Sequence, residues 1–433
     1  MTSWQTKKLG DVMDFISTGA HSRNDMTSAT DNPNQVFNIH YGDIHTKYFT
    51  YVNLDKDIVP VLIENTVRDN MRLQDGDLVV ADASEDYDGV GSSVELRNVS
   101  ERKVIGGLHT FALRSKNDEF APGFTGLMLK NPATHKRLMQ MSVYSKVYGL
   151  TKSSIASVDV SYPEKPEQER IVGVLEVWDE YIEKLEQKIA LKGQLKKGLM
   201  QQLLTGKRRM PGFDREWITV SLGDMGYART SSVDKLSVAG EQSVRLLNYM
   251  DVYRRDRISN SDIFQAVTAK ESQIGASDLK SGDVLFTPSS ETPTDIGHSA
   301  VVIEDLPMTV FSYHLMRLRM KGSYMSVSFA AYCFKTNAFY KELWKRAQGA
   351  TRFTLSKDAL ESAKITIPDD IEEQDAIASV VKIADDEIEA LKATLNEIRL
   401  QKKYLLKNLI TGAIRTPEDL KPLDTTRLER SAL

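Results

Sequence analysis

The sequence has almost no cysteine and no long apolar run. Cys333 is the single cysteine among 433 residues, which excludes an internal disulfide framework. No stretch approaches the roughly 18 apolar residues of a membrane span. The start, MTSWQTKKLGDV, lacks the apolar segment of a signal peptide. We therefore expect a soluble, cytoplasmic protein that does not enter a membrane.

Catalytic signatures are missing as well. The seven histidines form no HExxH pattern or other metal-ligand spacing. Gly206-Lys207 lacks the upstream glycine of a phosphate loop, and Asn131-Pro132-Ala133 lacks the second proline and the aromatic residue of the amino-methyltransferase motif. His109 and His314 lie in strand-like runs, where we expect hydrogen-bonded structural histidines. The sequence thus predicts a chain that is not an enzyme and that binds no metal.

The charge of the chain is close to balanced. Lys and Arg number 56 and Asp and Glu number 60, giving a formal net charge of −4. Many DNA-binding domains are strongly basic, so this balance counts against a nucleic-acid partner. A chain with this charge balance can still bind nucleic acid if other subunits supply the phosphate contacts or if its positive charge is concentrated in one region.

The most informative feature is an internal repeat. Short motifs return in the same order at a nearly constant offset of 200 to 213 positions. The pairs are Leu9-Gly10-Asp11 with Leu222-Gly223-Asp224, Tyr41 with Tyr249, Gly76-Asp77 with Gly282-Asp283, Ser84-Glu85 with Ser290-Glu291, Gly149-Leu150-Thr151 with Gly349-Ala350-Thr351, Glu167-Gln168 with Glu373-Gln374, and Leu204-Thr205-Gly206 with Ile410-Thr411-Gly412. The period is far too long for a solenoid. It indicates two duplicated domains.

Each repeat begins with a globular part that mixes strand-like and helix-like runs. Strands are predicted at Leu78 to Ala81 and Val284 to Phe286, and also over 104–113 and 310–318. The stretches 127–141 and 327–344 favour helices. We assign the fold class α+β to both parts.

A long helix follows each globular part. Apolar residues recur at alternating spacings of four and three, as in a coiled-coil seam. The first seam holds Ile171, Leu175, Trp178, Ile182, Leu185 and Ile189; the second, 206 positions later, holds Ile377, Val381, Ala384, Ile388, Leu391 and Leu395.

Charge along both helices is polarised. Residues 163–183 carry seven acidic and two basic side chains, whereas 184–209 carry one acidic and eight basic. Residues 369–389 carry nine acidic and one basic, and 399–415 carry five basic and none acidic. Complementarity to the helix dipole explains this pattern in part. Antiparallel packing of the two helices explains it too, because each acidic half then lies beside a basic half.

These motifs resemble a known family. Tyr162-Pro163, Glu167-Gln168, the long helix and Gly198-Leu199-Met200 through Thr205-Gly206-Lys207-Arg208-Arg209 look like the central conserved region of type I restriction-modification specificity subunits. Pro368, Glu373-Gln374, Ile377 and Leu409-Ile410-Thr411-Gly412 resemble the distal conserved region, with Ala413-Ile414-Arg415 replacing Lys-Arg-Arg.

The resemblance implies an architecture and its boundaries. Two similar α+β target recognition domains would be separated by two long antiparallel helices that form a coiled coil, with a pseudo-twofold internal repeat. The implied segments are target recognition domain 1 at 1–162, the central helix at 163–206, a linker at 207–216, target recognition domain 2 at 217–367, the distal helix at 368–412 and a tail at 413–433.

The resemblance also implies a function. Each recognition domain would bind one half of a split sequence in double-stranded DNA, with the helices fixing the distance between the halves. Two methyltransferase subunits and motor-nuclease restriction subunits would be the partners. These partners would use S-adenosylmethionine, ATP and magnesium, and this chain would bind no cofactor of its own.

Candidate DNA contacts are donors and acceptors that recur after strand-like runs. In the first half they are His40, Tyr41, Lys47, Ser84, Glu85, Lys146, Thr151, Lys152 and Ser153. In the second half they are Asn248, Tyr249, Tyr253, Arg254, Arg255, Ser289, Ser290, Glu291, Thr351, Arg352 and Phe353. Packing or turn formation is the competing interpretation for each of them.

Other functions stay open at this point. The chain could be an enzyme with an unfamiliar active site, which would act without partners. It could be a coiled-coil adaptor, or a specificity protein of a related defence system.

Overall fold

The computed structural model describes residues 4–32, 34–63, 68–263 and 265–420. Contacts divide the chain into two compact units. Unit 1 consists of Met1–Glu186 together with Thr394–Leu433, and unit 2 consists of Gln187–Ala393. Each unit therefore contains one globular part and a portion of each long helix.

Unit 1 is built from short strands and short helices that lead into one long helix. Its strands are Gln5–Lys8 (β1), Met13–Ile16 (β2), Met26–Thr27 (β3), Val36–Ile39 (β4), Tyr51–Asn53 (β5), Val61–Leu62 (β6), Leu78–Ala81 (β7), Ala83–Ser84 (β8), Ser93–Arg97 (β9), Lys103–Gly106 (β10), Thr110–Ser115 (β11), Val143–Tyr144 (β12), Tyr148–Gly149 (β13) and Asp159–Tyr162 (β14). Its helices are Leu9–Val12 (α1), Tyr41–Thr46 (α2), Thr125–Met128 (α3), Pro132–Met141 (α4), Lys152–Ser157 (α5) and Lys165–Leu203 (α6), the last of which continues into unit 2.

Unit 2 repeats this plan. Its strands are Trp217–Ser221 (β15), Gly226–Thr230 (β16), Gln242–Leu247 (β17), Arg257–Ile258 (β18), Gln265–Ala269 (β19), Asp278–Leu279 (β20), Val284–Phe286 (β21), Ser289–Ser290 (β22), Ser299–Val302 (β23), Leu306–Phe311 (β24), Met316–Met320 (β25), Phe353–Thr354 (β26) and Lys364–Pro368 (β27). Its helices are Leu222–Met225 (α7), Tyr249–Tyr253 (α8), Glu271–Ser277 (α9), Val327–Cys333 (α10), Asn337–Trp344 (α11), Lys357–Glu361 (α12) and Ile371–Leu409 (α13), the last of which continues into unit 1.

The two units have matching sheets. A five-stranded sheet has the order β2-β11-β7-β9-β5 in unit 1 and β16-β25-β21-β23-β18 in unit 2. A second sheet contains a parallel pair in each unit, β4 with β10 and β17 with β24. A two-stranded pair joins the start of each globular part to its end, β1 with β14 and β15 with β27. The duplication inferred from the sequence is therefore present in the strand order.

Two of the predicted strands and two of the predicted helices are broken in the structure. The stretch 104–113 is split between β10 and β11, and 310–318 between β24 and β25. His109 and His314 lie in the intervening turns, so their placement inside strands was wrong. His109 has φ of 59°, a left-handed conformation that strands do not adopt. The predicted helices are divided into α3 and α4 and into α10 and α11, because Asn131 and Thr336 cap new helices.

The seam residues of the long helices are all buried or half-buried. In unit 1, Ile171 and Leu175 pack in the core of the globular part with Leu409 and Ile410. In unit 2, Ile377 and Val381 pack in the corresponding core with Leu203 and Leu204. The first turns of each seam thus attach the helix to its globular part.

Ion pairs show the direction in which the helices run within each unit. In unit 1, Asp179 pairs with Lys402 and Glu186 with Arg399. In unit 2, Lys192 pairs with Glu387 and Lys196 with Asp385. The numbers rise on one helix as they fall on the other, so the helix segments are antiparallel in both units. The acidic and basic halves face each other, as the charge pattern predicted.

Candidate functional site

Most candidates in unit 2 line one open cleft of about 800 Å³. We call it the α8 cleft and define it by its lining residues: Tyr249, Met250, Tyr253, Ser289, Ser290, Glu291, Asp295, His314, Thr351 and Arg352. Seven of the eleven candidates in this half are among them. Motifs more than 100 positions apart in the sequence therefore meet at one surface.

Helix α8 supplies one wall of this cleft. The carboxylate of Asp251 accepts a hydrogen bond from the backbone N–H of Asn248 at 2.9 Å, which fixes the helix start. Tyr249 and Tyr253 stack with ring centroids 5.9 Å apart. The Tyr249 hydroxyl donates to the Ser289 carbonyl at 3.1 Å, and the Tyr253 hydroxyl donates to Asp295 at 3.1 Å. The aromatic wall is thus held from both ends.

The opposite wall is a pair of two-residue strands. β22 pairs with β26 through Ser289 with Thr354 and Ser290 with Phe353. The Ser290 hydroxyl donates to the Thr292 carbonyl. Gly349 has φ of 137°, and an added Cβ would lie 1.9 Å from the Arg352 carbonyl oxygen. Only glycine permits the turn that presents Thr351 and Arg352 at the rim.

The charges available in the α8 cleft are few and exposed. Glu291 and Arg352 are both exposed, and among the described residues neither has an oppositely charged group within 4 Å. Burial, followed by the positive charge of Arg352, lowers the pKa of His314. The hydrogen bond to Asp295 raises the pKa of Tyr253. The cleft therefore offers the Arg352 cation, the free carboxylate of Glu291, the carboxylate of Asp295 that Tyr253 already contacts, and several neutral hydrogen-bonding groups.

The remaining candidates of unit 2 lie outside this cleft. The Asn248 amide donates to the Gln265 side chain at 2.7 Å. Arg255 forms ion pairs with Asp251 and Asp262, each at 3.2 Å. Phe353 packs against the hydrophobic core, whereas Arg254 is exposed. Internal partners thus occupy Asn248 and Arg255.

The first group of candidates in unit 1 surrounds α2. His40 caps this helix, and its Nδ1 accepts from the Gly42 N–H at 3.1 Å. The centroid of the Tyr41 ring lies 4.6 Å from that of the His40 ring and 5.4 Å from that of the His109 ring. Lys47, exposed at the other end of α2, pairs with the buried Asp43 at 2.8 Å. Tyr41 and His109 therefore correspond to Tyr249 and His314 of the α8 cleft.

Ser84 and Glu85 lie beside this group. His45 of α2 forms a hydrogen bond with the Ala83 carbonyl at 2.9 Å, which ties α2 to β8. Ser84 is buried in β8, and Glu85 directly after it is exposed. Two rings lie on the neighbouring hairpin of β12 and β13, where the ring centroids of Tyr144 and Tyr148 are 4.9 Å apart. The ring of Tyr87, which follows β8, lies 5.2 Å from that of Tyr148. Sequence reasoning missed these tyrosines, although aromatics four positions apart in a short hairpin were a visible signal.

Three further candidates of unit 1, Thr151, Lys152 and Ser153, line a separate shallow depression of about 840 Å³. Thr151 caps α5 by accepting from the Ser154 N–H at 3.1 Å. The Lys152 ammonium lies 4.6 Å from the centroid of the Phe15 ring. Ser153 hydrogen-bonds to Thr151 at 2.9 Å, and Lys146 is exposed in the hairpin turn. The first-half candidates therefore lie at separate places on unit 1, whereas seven of the eleven second-half candidates share one cleft.

The duplicated Glu-Gln motif anchors each long helix to its own unit. Gln168 is fully buried, accepts from the Ala121 N–H and donates to the carbonyls of Glu119 and Pro163. Gln374 makes the same three contacts with Ser326, Tyr324 and Pro368. These contacts explain the glutamine in both copies, because a buried amide needs partners for both of its polar atoms.

The glutamate of the same motif accepts from an arginine that follows the other long helix. In unit 2 Glu373 pairs with Arg209 at 2.7 Å, and in unit 1 Glu167 pairs with Arg415. The glycines of the Thr-Gly motif have φ of 68° at Gly206 and 72° at Gly412. Each lies against an indole ring, Gly206 against Trp217 and Gly412 against Trp4. The whole Thr-Gly-x-x-Arg segment thus terminates one helix and contacts the start of the other.

The profile of the type I restriction modification DNA specificity domain matches residues 1–192 and 214–400. The two matches cover most of the chain and follow its internal repeat. The chain belongs to this family.

Curated specificity subunits of Methanocaldococcus jannaschii are similar to this family member. The type I restriction enzyme MjaVIII specificity subunit is 25% identical over 285 residues, which cover 61% of this chain and 64% of that protein. The chain thus spans less than two thirds of that relative. The putative type I restriction enzyme MjaX specificity subunit is 22% identical over 443 residues, covering 95% of this chain and 94% of that protein.

Two solved structures share the fold. A chain from a structure on complex assembly and conformational transition of the type I R-M system aligns with a TM-score of 0.60 at 16% identity, covering 94% of this chain and 97% of that one. The HsdS subunit from Thermoanaerobacter tengcongensis aligns with a TM-score of 0.50 at 17% identity, covering 95% and 97%. The fold is that of two repeated mixed helix-and-sheet domains with two long helices.

Three further observations concern the part of this specificity-family chain that the structure describes. No group of three or more His, Cys, Asp or Glu side chains in that part is arranged to hold a metal ion. No helix there is long and apolar enough to cross a membrane. Cys333 is buried in the core of unit 2.

Proposed function

We propose that the chain is the sequence-specific DNA-recognition subunit of a type I restriction-modification complex. Each globular part would bind one half-site of a bipartite target in double-stranded DNA. The proposed recognition domains are 1–162 and 217–367, the proposed helices are 163–206 and 368–412, with a linker at 207–216 and a tail at 413–433. Family membership supports the DNA-recognition role.

The observation that carries the bipartite proposal is the recurrence of one arrangement on two different surfaces. Each unit places a tyrosine at the start of a short helix near a histidine in a turn, Tyr41 with His109 and Tyr249 with His314. Each also presents an exposed glutamate after a two-residue strand, Glu85 and Glu291. The surrounding side chains differ, as two surfaces that bind different base sequences require.

The α8 cleft has the chemistry for base recognition. Arginine donates to guanine O6 and N7, and glutamate accepts from the amino group of cytosine. Arg352 and Glu291 provide these two groups in one cleft. The hydroxyls of Thr351 and Ser289, which line the same cleft, would contact either bases or phosphates. An exposed carboxylate would repel phosphates, so its position in a DNA-facing cleft favours contact with a base.

In unit 1 the corresponding contacts would come from both candidate groups. Glu85 would contact a base, and Lys146 and Lys152 would contact phosphates. The exposed ring of Tyr144 would pack against sugar or base.

The helices would act as the spacer between half-sites. Their 39-residue lengths correspond to roughly 58 Å at 1.5 Å per residue. The Arg–Glu pairs and buried glutamines at their ends would hold each helix rigidly on its recognition domain.

Catalysis would reside in partner subunits. Two methyltransferase subunits would transfer a methyl group from S-adenosylmethionine to adenine, and restriction subunits would use ATP and magnesium. This chain would bind none of these cofactors, and the assembly would act on DNA in the cytoplasm.

Selection from random duplex DNA tests this function. The chain assembled with its methyltransferase subunits should enrich two short words separated by a gap of constant length. Enrichment of one continuous word would contradict the bipartite proposal, and no enrichment would favour an adaptor. Methylation by the isolated chain would favour an enzyme.

A further inference from the structure

Unit 1 contains a second cleft, of about 730 Å³, between α4 and the last turns of α13. We call it the α4–α13 cleft. Its apolar lining is formed by Phe49, Leu129, Met139, Leu406 and Ile410. The volume lies in the range of ligand-binding sites, and such sites are largely apolar with a few polar groups. None of these residues is among the DNA-binding candidates.

Five cationic side chains line this cleft, against the single carboxylate of Asp88: Lys130, Arg399, Lys402, Lys403 and Lys407. Arg399 pairs with Glu186 and Lys402 with Asp179. Among the described residues, Lys130, Lys403 and Lys407 have no carboxylate within 4 Å. The cleft therefore carries positive charge that the described part of the chain does not neutralise.

Lys130 shows this imbalance most clearly. Its ammonium lies 4.5 Å from the centroid of the Phe49 ring, while Phe49 itself is 65% exposed. Burial, together with the nearby charge of Lys402, lowers the pKa of Lys130 to about 8. A desolvated ammonium of this kind is stabilised by a carboxylate.

The second repeat supplies that carboxylate internally. Lys335 precedes the N-cap of α11 just as Lys130 precedes the N-cap of α4. Lys335 forms an ion pair with Asp256. The same position thus has an internal anion in one unit and an open cleft in the other.

We propose that the α4–α13 cleft binds a segment of a protein partner that carries a carboxylate beside a large apolar side chain. The carboxylate would pair with Lys130, and acidic neighbours would meet Lys403 and Lys407. The apolar side chain would cover Phe49, Met139 and Leu406. DNA phosphates would satisfy the rim lysines but would leave the apolar walls exposed to water, so a protein segment is the better match.

Site-specific photocrosslinking tests the occupant. The choice of partner rests on the proposed function, so the experiment uses the full chain in complex with its methyltransferase subunit and duplex DNA. A benzoylphenylalanine replaces either His135, which lines the cleft, or the exposed Lys136 next to it on α4.

The proposal expects a crosslink from position 135 to a methyltransferase segment containing Asp or Glu, at least tenfold stronger than from position 136. A crosslink to DNA, equal crosslinking at both positions, or no crosslink from 135 in an assembled complex would overturn it. Failure of the two proteins to assemble at all would instead contradict the proposed function.

Substitution of Lys130 gives a second, independent readout. Lys130→Met removes a desolvated charge while keeping the packing of the side chain, so the free chain should unfold at a higher temperature. The same variant should bind the methyltransferase subunit at least tenfold more weakly. Unchanged binding would overturn the proposal, and so would a loss of stability, because that would make Lys130 a structural residue.

Charge reversal at the rim separates a protein occupant from DNA. Lys403→Glu with Lys407→Glu should weaken assembly with the methyltransferase subunit, and Lys136→Glu should not. If the double variant assembles normally but binds DNA more weakly, the cleft binds phosphates and the proposal fails.

Discussion

Arg415 donates from Nε to the carboxylate of Glu167 at 2.5 Å, although 248 positions separate the two residues. The second unit contains the equivalent pair, Arg209 with Glu373, in which Nε and Nη2 of the arginine donate to the two carboxylate oxygens at 2.7 and 2.8 Å. Both glutamates are buried. In each pair, an arginine from the segment that follows one long helix binds a glutamate in the first turn of the other long helix, within a single unit.

The first prediction concerns Arg209. Arg209→Ala leaves the fully buried Glu373 carboxylate with only the Trp217 indole N–H, at 3.3 Å. Loss of one partner from a buried pair costs 3–5 kcal/mol, and since the Arg209 side chain is 31% exposed we expect about 3 kcal/mol. Thermal and urea unfolding would measure the loss.

Arg208→Ala is the matched control for this variant. Arg208 is exposed, so its substitution should change stability by less than about 0.5 kcal/mol. Equal stability of the Arg208 and Arg209 variants would show that the Arg209–Glu373 pair does not anchor the helix.

The second prediction concerns the antiparallel direction of the helices. Lys192 and Glu387 pair at 2.7 Å and are partly exposed. Lys192→Glu should destabilise the chain by up to about 1 kcal/mol, and adding Glu387→Lys should restore most of it. Additive effects in this double-mutant cycle, measured by urea unfolding, would argue against the pairing.

The third prediction separates arginines that serve structure from those that contact DNA. Arg352→Ala should weaken binding of cognate duplex at least tenfold and leave the melting temperature unchanged, since Arg352 is exposed in the α8 cleft. Arg254→Ala should weaken DNA binding less. Arg255→Ala should lower the melting temperature, because it removes the ion-pair partner of both Asp251 and Asp262.

DNA titrations of the assembled methyltransferase, with melting curves of each variant, would measure both effects. Full DNA affinity of the Arg352 variant would remove this residue from the proposed interface.

The fourth prediction concerns base preference. Glu291→Gln should shift one position of one half-site from cytosine towards adenine, because glutamine pairs with adenine N6 and N7. Selection from random duplex DNA would show the shift, with the Glu85→Gln variant as a counterpart that should change the other half-site. An unaltered pair of words in both variants would exclude base contact by these glutamates.

The fifth prediction concerns pH. The pKa of Lys130 is about 8 in the folded chain, below its ordinary value of 10.5, so the unfolded chain binds more protons between these values. The cost of burying the charge is fully present below pH 8 and is relieved as pH rises towards 10.5. The stability advantage of Lys130→Met over the parent chain should therefore shrink from pH 7.5 to pH 10.

Other titratable and charged groups line the α4–α13 cleft: Asp88, His135, Arg399, Lys402, Lys403 and Lys407. Their contributions to the pH dependence of stability are present in both proteins, so they cancel in the difference between the parent chain and Lys130→Met. A constant difference between the two proteins across this range, measured by urea unfolding, would show that Lys130 keeps an ordinary pKa.

The repeat and the helix registers could be predicted because they are periodic in the sequence. Ile171 and Ile377 occupy equivalent seam positions, and both are fully buried. Their packing partners could not be predicted in the same way. Both lie in cores that include residues of the other long helix, and such contacts depend on tertiary structure.

The candidate site could be predicted only in part, for a local physical reason. Tyr249, Glu291 and Arg352 were selected because their motifs recur in both repeats, and all three line the α8 cleft. Arg255 was selected for its charge, yet Asp251 of α8 precedes it by four positions, and Arg255, just beyond the end of that helix, forms an ion pair with it. The pairing of Arg415 with Glu167 could not be predicted from the sequence, because it depends on the end of α13 lying in unit 1.

The most direct test is a map of methylated adenines in a host genome that carries this chain and its methyltransferase subunit. The account predicts methylation at a bipartite motif, two short defined words separated by a constant number of unspecified bases, and its loss when the chain is deleted. A single continuous motif, or methylation that persists without the chain, would contradict it.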